Sequence, residues 1–550
     1  MNERRTVLSS ARRIAACTLA SRVTGMVRDV LLAQTFALSW VQDAFSYAFT
    51  IPNLFRRLFG EGGLAPVFVP RFTRALEQDG REAAVRLFHR ALAVLTVTLV
   101  AVVMLLEVVI LGVWLLGGGG DGSAARGLLL GLSALTLPFM VSICVLSLLA
   151  ALLNCVGSFV PAAAAPIVLN LFMIAGIAWV GPALGGSAPE RQVYWVAAMV
   201  LAGGVAQVLM LLPVLRRRGV PIGWQWAPRD PAVAGMMKMM VPIALGQSVL
   251  ALGVFIDSQL CVLLTRTAGS AVGIEWFGGR VDYPLEEGAL SALSIAQRLY
   301  QFPLGVLVIS IATAALPAFS RHAVREDWRA WGGEVRQLLR MAIFEGLLAG
   351  AMMVAMAPQL IRLLFEYRNF DAADTQRTAV VLAWYGLGMW AFCAQHIVSR
   401  AFYSLGDAVT PLRISAAVLP LNVLLSLSLV WVPGLREAGL AVSSVISFGL
   451  AAIVGLLLLA RRRRDARIGD GLASALVRMI ACGVIAGGAV WAAAPAAGRM
   501  AEAAMGAGVW GRCAETFGLL AIGGGVYLSA AVLLRLEEGI RLLRVSRARR

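Results

Sequence analysis

The sequence is poor in ionisable residues. Only 14% of its 550 residues are Asp, Glu, Lys or Arg, whereas soluble proteins carry about 25%. Lys238 is the only lysine, the three histidines lie far apart, and the seven cysteines form no C-x-x-C pair. These scarcities argue against an ordinary soluble protein, a disulfide framework and a zinc site. They also exclude a Walker-type nucleotide site, because Lys238 is not part of such a motif.

Apolar residues make up 59% of the chain. Apolar runs of about 18 residues or more recur along its whole length, which is typical of an all-α polytopic membrane protein. The short alternating segments of a transmembrane barrel are not found. We predict about fourteen spans. They lie near 12–36, 43–59, 88–116, 128–153, 161–180, 193–215, 236–264, 287–316, 341–365, 379–405, 412–432, 437–460, 470–494 and 516–536.

The basic residues are distributed unevenly between the loops. If the N-terminus is cytoplasmic, most arginines fall on the cytoplasmic side, including those at 216–218, at 461–464 and in the C-terminal tail. Cytoplasmic loops are enriched in Lys and Arg. We therefore predict that both termini are cytoplasmic and interpret the basic blocks as flanks that touch anionic lipid. A nucleic-acid partner, which the net charge of +17 suggests at first sight, is disfavoured.

Two short motifs occur twice. PRFTR at 70–74 returns as PAFSR at 317–321, and NCVGSFVP at 154–161 resembles YSLGDAVTP at 403–411. In each copy an asparagine follows in the next span, Asn170 and then Asn422. Chance matches in an apolar chain are the alternative to a true duplication.

The nearly constant offset between the copies favours two six-helix halves of like orientation, a transporter architecture with the substrate site between the halves. We predict an N-terminal half at 1–220, a cytoplasmic linker at 221–235, and a C-terminal half at 236–462. Two extra helices and a basic tail follow at 463–550.

Charged residues interrupt several spans. A charge at the centre of a membrane helix costs about 2.5–3.5 kcal/mol. In the first span, Arg22 and Asp29 fall on one helix face and Arg28 flanks it, since each residue turns the helix by about 100°. The other charges in or beside spans are Asp43, Arg56, Arg57, Glu61, Asp257 and Arg298.

Three interpretations of these charges stay open. They line a wet, cationic cavity for an anionic substrate, since arginine matches phosphate oxygens two at a time. Alternatively, Arg22 with Asp29 and Arg56 with Glu61 are internal ion pairs that only hold helices together. In the third interpretation the first helix begins near Val30, so that its charges lie at the surface.

Specific motifs resemble a known family. SR-x-x-G-x-x-RD at 21–29 and DAF-x-x-AF-x-IPN-x-x-RRLF-x-EG at 43–62 are similar to the start of the MurJ/MviN lipid II flippases of the MOP superfamily. QRLYQFPLGVL at 297–307 and AFYSLGDAVTP at 401–411 match as well. The resemblance implies a MOP-type fold in the bacterial cytoplasmic membrane and a transporter, not an enzyme. It would flip the undecaprenyl-pyrophosphate-linked precursor of peptidoglycan, lipid II, to the outer leaflet.

The resemblance also implies roles for individual residues. Arginines of a central cavity would engage the pyrophosphate, and the last two helices would form a groove for the lipid tail. The matching substrate-binding positions are Arg22, Arg28, Arg298, Asp29, Asp43, Asn53, Arg56 and Glu61. Besides lipid II, the expected partners are membrane lipids and the peptidoglycan synthesis machinery.

The only cofactor that the resemblance suggests is a sodium ion. Asp257 and Asn422 match two of its ligands, and Ser443 or Ser444 a third. Ser426 stands where a second carboxylate would help, which is a departure from a full site.

We expect alternating access of the two halves, driven by the membrane potential. A polysaccharide-repeat lipid flippase or another MOP exporter is the nearest alternative. A membrane glycosyltransferase would need catalytic acids in an outer loop, and the longest such segment, 265–286, has no catalytic arrangement. A non-transporting scaffold would tolerate neutralised cavity charges. Glu107 and Glu345, single acids in apolar spans, have no assigned role.

Overall fold

The computed structural model describes residues 2–58, 64–116, 124–267, 273–276, 279–305 and 310–540. The chain divides into two compact units, Met1–Leu290 and Ser291–Arg550. The helices of the first unit are α1 (Asn2–Phe36), α2 (Trp40–Phe55), α3 (Ala65–Gln78), α4 (Gly80–Leu116), α5 (Ala124–Thr136), α6 (Phe139–Cys155), α7 (Val160–Ala175), α8 (Gly181–Gly185), α9 (Pro189–Arg217) and α10 (Pro231–Leu264). A π-helical turn, Gly176–Val180, joins α7 to α8.

The division between the units falls at the start of α11. The remaining helices are α11 (Ala289–Pro303), α12 (Ser310–Val324), α13 (Trp328–Leu364), α14 (Ala372–Leu387), α15 (Met389–Ser404), α16 (Val409–Leu429), α17 (Ala438–Arg462), α18 (Leu472–Met505) and α19 (Val509–Leu533). A short antiparallel pair, β1 (Ile274–Trp276) and β2 (Gly279–Val281), lies between α10 and α11, with Ile274 opposite Val281. This pair was not expected from the sequence.

Helices long and apolar enough to cross a membrane dominate both units, and the predicted all-α architecture is confirmed. Within the described residues there are nine, or ten if α14 and α15, which meet at a bend of 44°, form one span. Each predicted span coincides with one helix or with consecutive helices. The predicted spans outside these ten are α1, α2, α10 and the α11–α12 pair, and they hold Arg22, Arg28, Asp43, Asp257 and Arg298.

Helix lengths repeat along the chain in the way that the motifs suggest. α4 and α13 both span 37 residues, and α13 is kinked at Met356. Each follows a shorter helix, α3 or α12, that contains one copy of the PRFTR or PAFSR motif. The next span is broken in both copies, between α5 and α6 and between α14 and α15. The predicted domain limits stay a prediction. In the structure, α10 packs against α2, α3 and α4 of the first unit.

Helix α13 is the centre of the second unit, where it packs against α14, α15, α18 and α19. Three contacts fasten α19 and the residues after it to α13 or to the loop after α13. In the first half of α13, Arg340 donates to both carboxylate oxygens of Glu538 at 2.6 and 3.2 Å. One turn later along α13, the Phe344 carbonyl accepts from the buried Tyr527 hydroxyl at 2.8 Å. At the far end, Arg512 donates to the Glu366 carbonyl at 2.7 Å.

The turn between α15 and α16 is held by Asp407. Its carboxylate accepts the backbone N–H groups of Val409 and Thr410 at 3.0 and 2.9 Å and pairs with Arg462 at the end of α17. Burial opposes ionisation of Asp407. The hydrogen bonds from Thr410 and the contact with Arg462 outweigh that effect and lower the pKa of the carboxyl below its ordinary value. The corresponding turn of the first half has Ser158 at this position.

Because the pKa of Asp407 is lowered by folding, its charge stabilises the protein above the ordinary aspartate pKa, and this contribution is lost as the pH falls through the lowered value. Asp407→Asn keeps an oxygen that can cap α16, so it isolates the charge. We expect the variant to unfold at a lower temperature than the wild type at neutral pH. The difference in unfolding temperature between the two proteins should disappear when the pH is lowered through the acidic range.

Thermal unfolding in detergent across this pH range measures the effect. Asp465→Asn, at an exposed position after α17, is the matched control. A difference in unfolding temperature that stays constant with pH would contradict a stabilising role for the charge of Asp407.

Candidate functional site

A buried arginine joins the first helix to α7. Arg28 is only 7% exposed. Its Nε and Nη2 donate to Asp29 Oδ1 at 2.9 and 2.6 Å, and its Nη1 donates to Asn170 Oδ1 at 2.9 Å. Asn170 Nδ2 in turn donates to the Ser21 carbonyl and to Thr24 Oγ1, each at 3.1 Å. The charge inside this helix pair is therefore both neutralised and hydrogen-bonded.

Asn170 was not among the predicted site residues, although the repeat had marked its position. α1 and α7 approach closely beside it: a Cβ added at Gly25 would lie 3.4 Å from Asn170 Nδ2. Arg22 precedes Gly25 and Arg28 on α1, and its side chain is half-buried. The structure therefore brings Arg28, Asp29 and Asn170 into one network, with Arg22 on the same helix.

Asn53 and Arg56 lie together at the end of α2. Arg56 Nε donates to Asn53 Oδ1 at 2.9 Å, and both side chains are half-buried. Pro52 leaves α2 without one internal N–H donor, and the helix widens into a π-type turn at 56–58. The predicted partner of Arg56, Glu61, lies outside the described residues.

Asp43 has a different neighbour. It is 1% exposed, and its Oδ2 accepts the backbone N–H of Gly288 at 2.7 Å. Gly288 has φ +87°, and a Cβ there would lie 2.4 Å from Leu38 Cβ. Only glycine fits this position without strain. Asp43 therefore anchors the segment that leads into α11 against the start of α2.

Arg298 belongs to α11 and is exposed. Two residues later, Tyr300 stacks on Phe392 and lies against Tyr385, with ring centroids 4.9 and 4.7 Å apart. Gln297 Nε2 donates to the Tyr385 hydroxyl at 3.1 Å. These contacts hold α11 against α14 and α15 while the Arg298 side chain stays accessible.

A group of buried polar side chains lies between α16 and α17. Asn422 Nδ2 donates to Ser443 Oγ at 3.4 Å, and the Ser426 and Ser443 hydroxyls are 2.7 Å apart. Asn422 Oδ1 is buried and has no hydrogen-bond partner among the described residues. Asp257, the other predicted sodium ligand, is buried in α10 of the first unit. No group of three or more His, Cys, Asp or Glu side chains that could hold a metal occurs in the described part of the chain.

Solved structures with this fold are membrane transporters. The chain superposes with a TM-score of 0.71 on "Lipid II flippase MurJ, inward closed conformation", at 20% identity, covering 95% of this chain and 98% of that one. It superposes with a TM-score of 0.65 on an inward-facing multidrug resistance MATE family transporter of the MOP superfamily, at 15% identity, covering 84% and 99%. The fold is therefore that of the MOP transporters.

Sequence comparison identifies the family within this class of transporters. The profile of the family described as "Lipid II flippase MurJ" matches residues 32–498. The "Lipid II flippase MurJ" of Burkholderia cenocepacia is 32% identical over 455 residues, which cover 81% of each chain. The chain belongs to the MurJ lipid II flippase family and is a transporter, not an enzyme.

The Asp43 anchor can be tested by substitution. Asp43→Ala leaves the buried Gly288 N–H without its acceptor, a loss of about 1–3 kcal/mol. Asp43→Asn keeps an acceptor oxygen and should cost less. We expect faster hydrogen exchange at Gly288 and a lower unfolding temperature for the alanine variant than for the asparagine variant. Asp79→Ala, at an exposed acid, is the control. Equal exchange at Gly288 in both Asp43 variants would refute the anchor.

Proposed function

We propose that this protein carries lipid II from the inner to the outer leaflet of the bacterial cytoplasmic membrane, with both termini in the cytoplasm. The observation that carries the proposal is the buried Arg28 network in the first helix of a chain that belongs to the MurJ family. The pyrophosphate of such a substrate needs cationic, planar donors along its path. The polyprenyl tail stays in lipid while the headgroup passes among these donors.

The contacts of Arg28 indicate how an anion is received. In the structure, Asp29 and Asn170 accept the guanidinium hydrogens. An isolated charge at this depth would be costly, so these acceptors keep the helix stable. We propose that phosphate oxygens replace the two acceptors during transport. Arg22 and Arg298, and the Asn53–Arg56 pair, provide further donors along the path.

The membrane potential can supply the driving force. Moving one charge across 100 mV is worth about 2.3 kcal/mol. With the inside negative, the outward passage of an anionic headgroup is favourable. The return of an empty site with excess arginine charge toward the inside is favourable too. Alternating access of two like-oriented helix bundles is the motion that fits a duplicated transporter.

Replacing the arginines tests this proposal. In cells whose own flippase is depleted, we expect Arg28→Ala and Arg298→Ala to abolish lipid II accessibility at the outer face. Arg28→Lys keeps the charge but loses the planar fork, and should retain partial transport. Arg499→Ala, at an exposed arginine near the end of α18, is the control. Full transport by both alanine variants would refute the pyrophosphate assignment.

We also propose a sodium ion at Asn422, with Asp257 and with Ser443 or Ser444. Each of these side chains offers an oxygen, the donor that hard cations prefer. Comparison of the two repeats supports the proposal. In the first half, the amide oxygen of Asn170 accepts from the Arg28 guanidinium. In the second half, the amide oxygen of Asn422 is buried and lacks a partner among the described residues. A bound cation would complement it.

Stability measurements test the sodium site without a transport assay. A ligand that binds only the folded state raises its stability. We expect sodium to raise the unfolding temperature of the wild type compared with potassium at equal ionic strength. Asn422→Leu and Asp257→Asn should lose this shift. Asn170→Leu, the change at the corresponding position of the first half, should retain it. The same shift in wild type and Asn422→Leu would rule the site out.

A further inference from the structure

Residues 218–230, which join α9 to α10, form a segment outside the helices, with turns at 218–219 and 228–229, that we call the strap. The strap begins at a helix end where the Val220 N–H bonds the Leu215 carbonyl at 3.0 Å, and the Val220 side chain is buried. It ends at Asp230, whose carboxylate caps α10 by accepting from Ala232 N at 2.9 Å. Both ends of the strap are therefore fixed.

One side of the strap lies on the first part of α4. Arg81 Nη2 donates to the Arg218 carbonyl at 2.6 Å, and His89 Nε2 lies 2.8 Å from the Pro221 carbonyl. Arg90 forms an ion pair with Asp230. A Cβ at Gly223 would lie 2.6 Å from the His89 ring, so the backbone passes directly over that ring. The strap is held along its length by side chains of one helix.

The other side of the strap carries large apolar side chains. Ile222, Trp224 and Trp226 are 42%, 58% and 53% exposed. The alternate residues, Gly223 and Gln225, are only half-exposed or less. In an extended chain, residues two apart project to the same side. The strap therefore presents one isoleucine and two tryptophans in a row, away from α4.

The neighbouring sequence places this row at the membrane surface. α9 is long and apolar enough to cross a membrane, α10 coincides with a span predicted from the sequence, and the strap connects the end of α9 to the start of α10. It crosses α4 where REAAVRLFHR at 81–90 gives way to the apolar ALAVLTVTLV at 91–100. The arginines at 216–218 and Arg229 are exposed at its two ends. Tryptophan is enriched at the level of lipid headgroups, and clustered arginines attract anionic lipids.

We propose that the strap is a membrane anchor. Ile222, Trp224 and Trp226 insert between the headgroups and the upper acyl chains of anionic phospholipids, and the flanking arginines bind the lipid phosphates. The anchor fixes the depth of α4 and of the start of α10. This inference is independent of the substrate, because it rests on the strap and on α4 alone.

Fluorescence quenching in vesicles tests the anchor. The wild type and Trp224→Phe/Trp226→Phe are reconstituted into neutral phosphatidylcholine vesicles and into vesicles that also contain phosphatidylglycerol. The emission spectrum of the wild type minus that of the variant is the emission of Trp224 and Trp226. Phenylalanine is also aromatic and apolar, so the variant should still insert into the membrane. We expect this difference emission to be quenched by lipids brominated near the headgroup end of the chain and to resist aqueous iodide. Quenching should be stronger in the anionic vesicles, and Arg218→Gln/Arg229→Gln should remove that preference.

The control is Trp491→Phe, which removes a 75% exposed tryptophan from the apolar helix α18. Its difference emission should be quenched best by lipids brominated deep in the chain. Quenching of the strap tryptophans by iodide but not by brominated lipid would overturn the proposal. So would shielding from both quenchers that increases with protein concentration, because a second copy of the chain would then cover the strap.

Discussion

A guanidinium cannot be left in the membrane interior without acceptors, and the first unit is built around this constraint at Arg28. The side chain is nine-tenths buried and donates both to a carboxylate on its own helix and to an amide on α7. Without these acceptors the charge would oppose insertion of α1. With them, the same charge holds α1 against α7, and in our proposal the phosphate of the substrate replaces these acceptors. Structural and transport roles therefore need not be alternatives for this residue.

The fold was largely predictable because its signals are local. Apolar runs located the spans. The motif pair at 70–74 and 317–321 marked the short helices α3 and α12, each of which is followed by a 37-residue helical segment, α4 or α13. The breaks between α5 and α6 and between α14 and α15 were not predicted, since the residues on either side are equally apolar. The packing of α10 with the first unit was missed too. Hydropathy locates a helix but does not identify its neighbours.

The site was predictable in its charges and less so in its contacts. The helical wheel placed Asp29 on the face of Arg22, and it did not predict that a carboxylate oxygen of Asp29 accepts from Arg28. A long arginine side chain can reach around the helix, which angular spacing ignores. Asn170 is neutral and distant in sequence, so only the repeat hinted at it. The partner of Asp43 is a backbone N–H far along the chain, and no pattern of side chains encodes such a contact.

Helix α13 and the C-terminal helix α19 are joined by three contacts, Arg340 with Glu538, Tyr527 with Phe344, and Arg512 with Glu366 just after α13. Sliding α19 by one turn, about 5.4 Å, would break all three contacts at once. Tilting the two helices together would break none. Within the second unit, these contacts therefore oppose sliding of α19 along α13, although α13 itself bends at Met356. A lipid chain lying against α19 would therefore contact a helix that is held at a fixed height along α13.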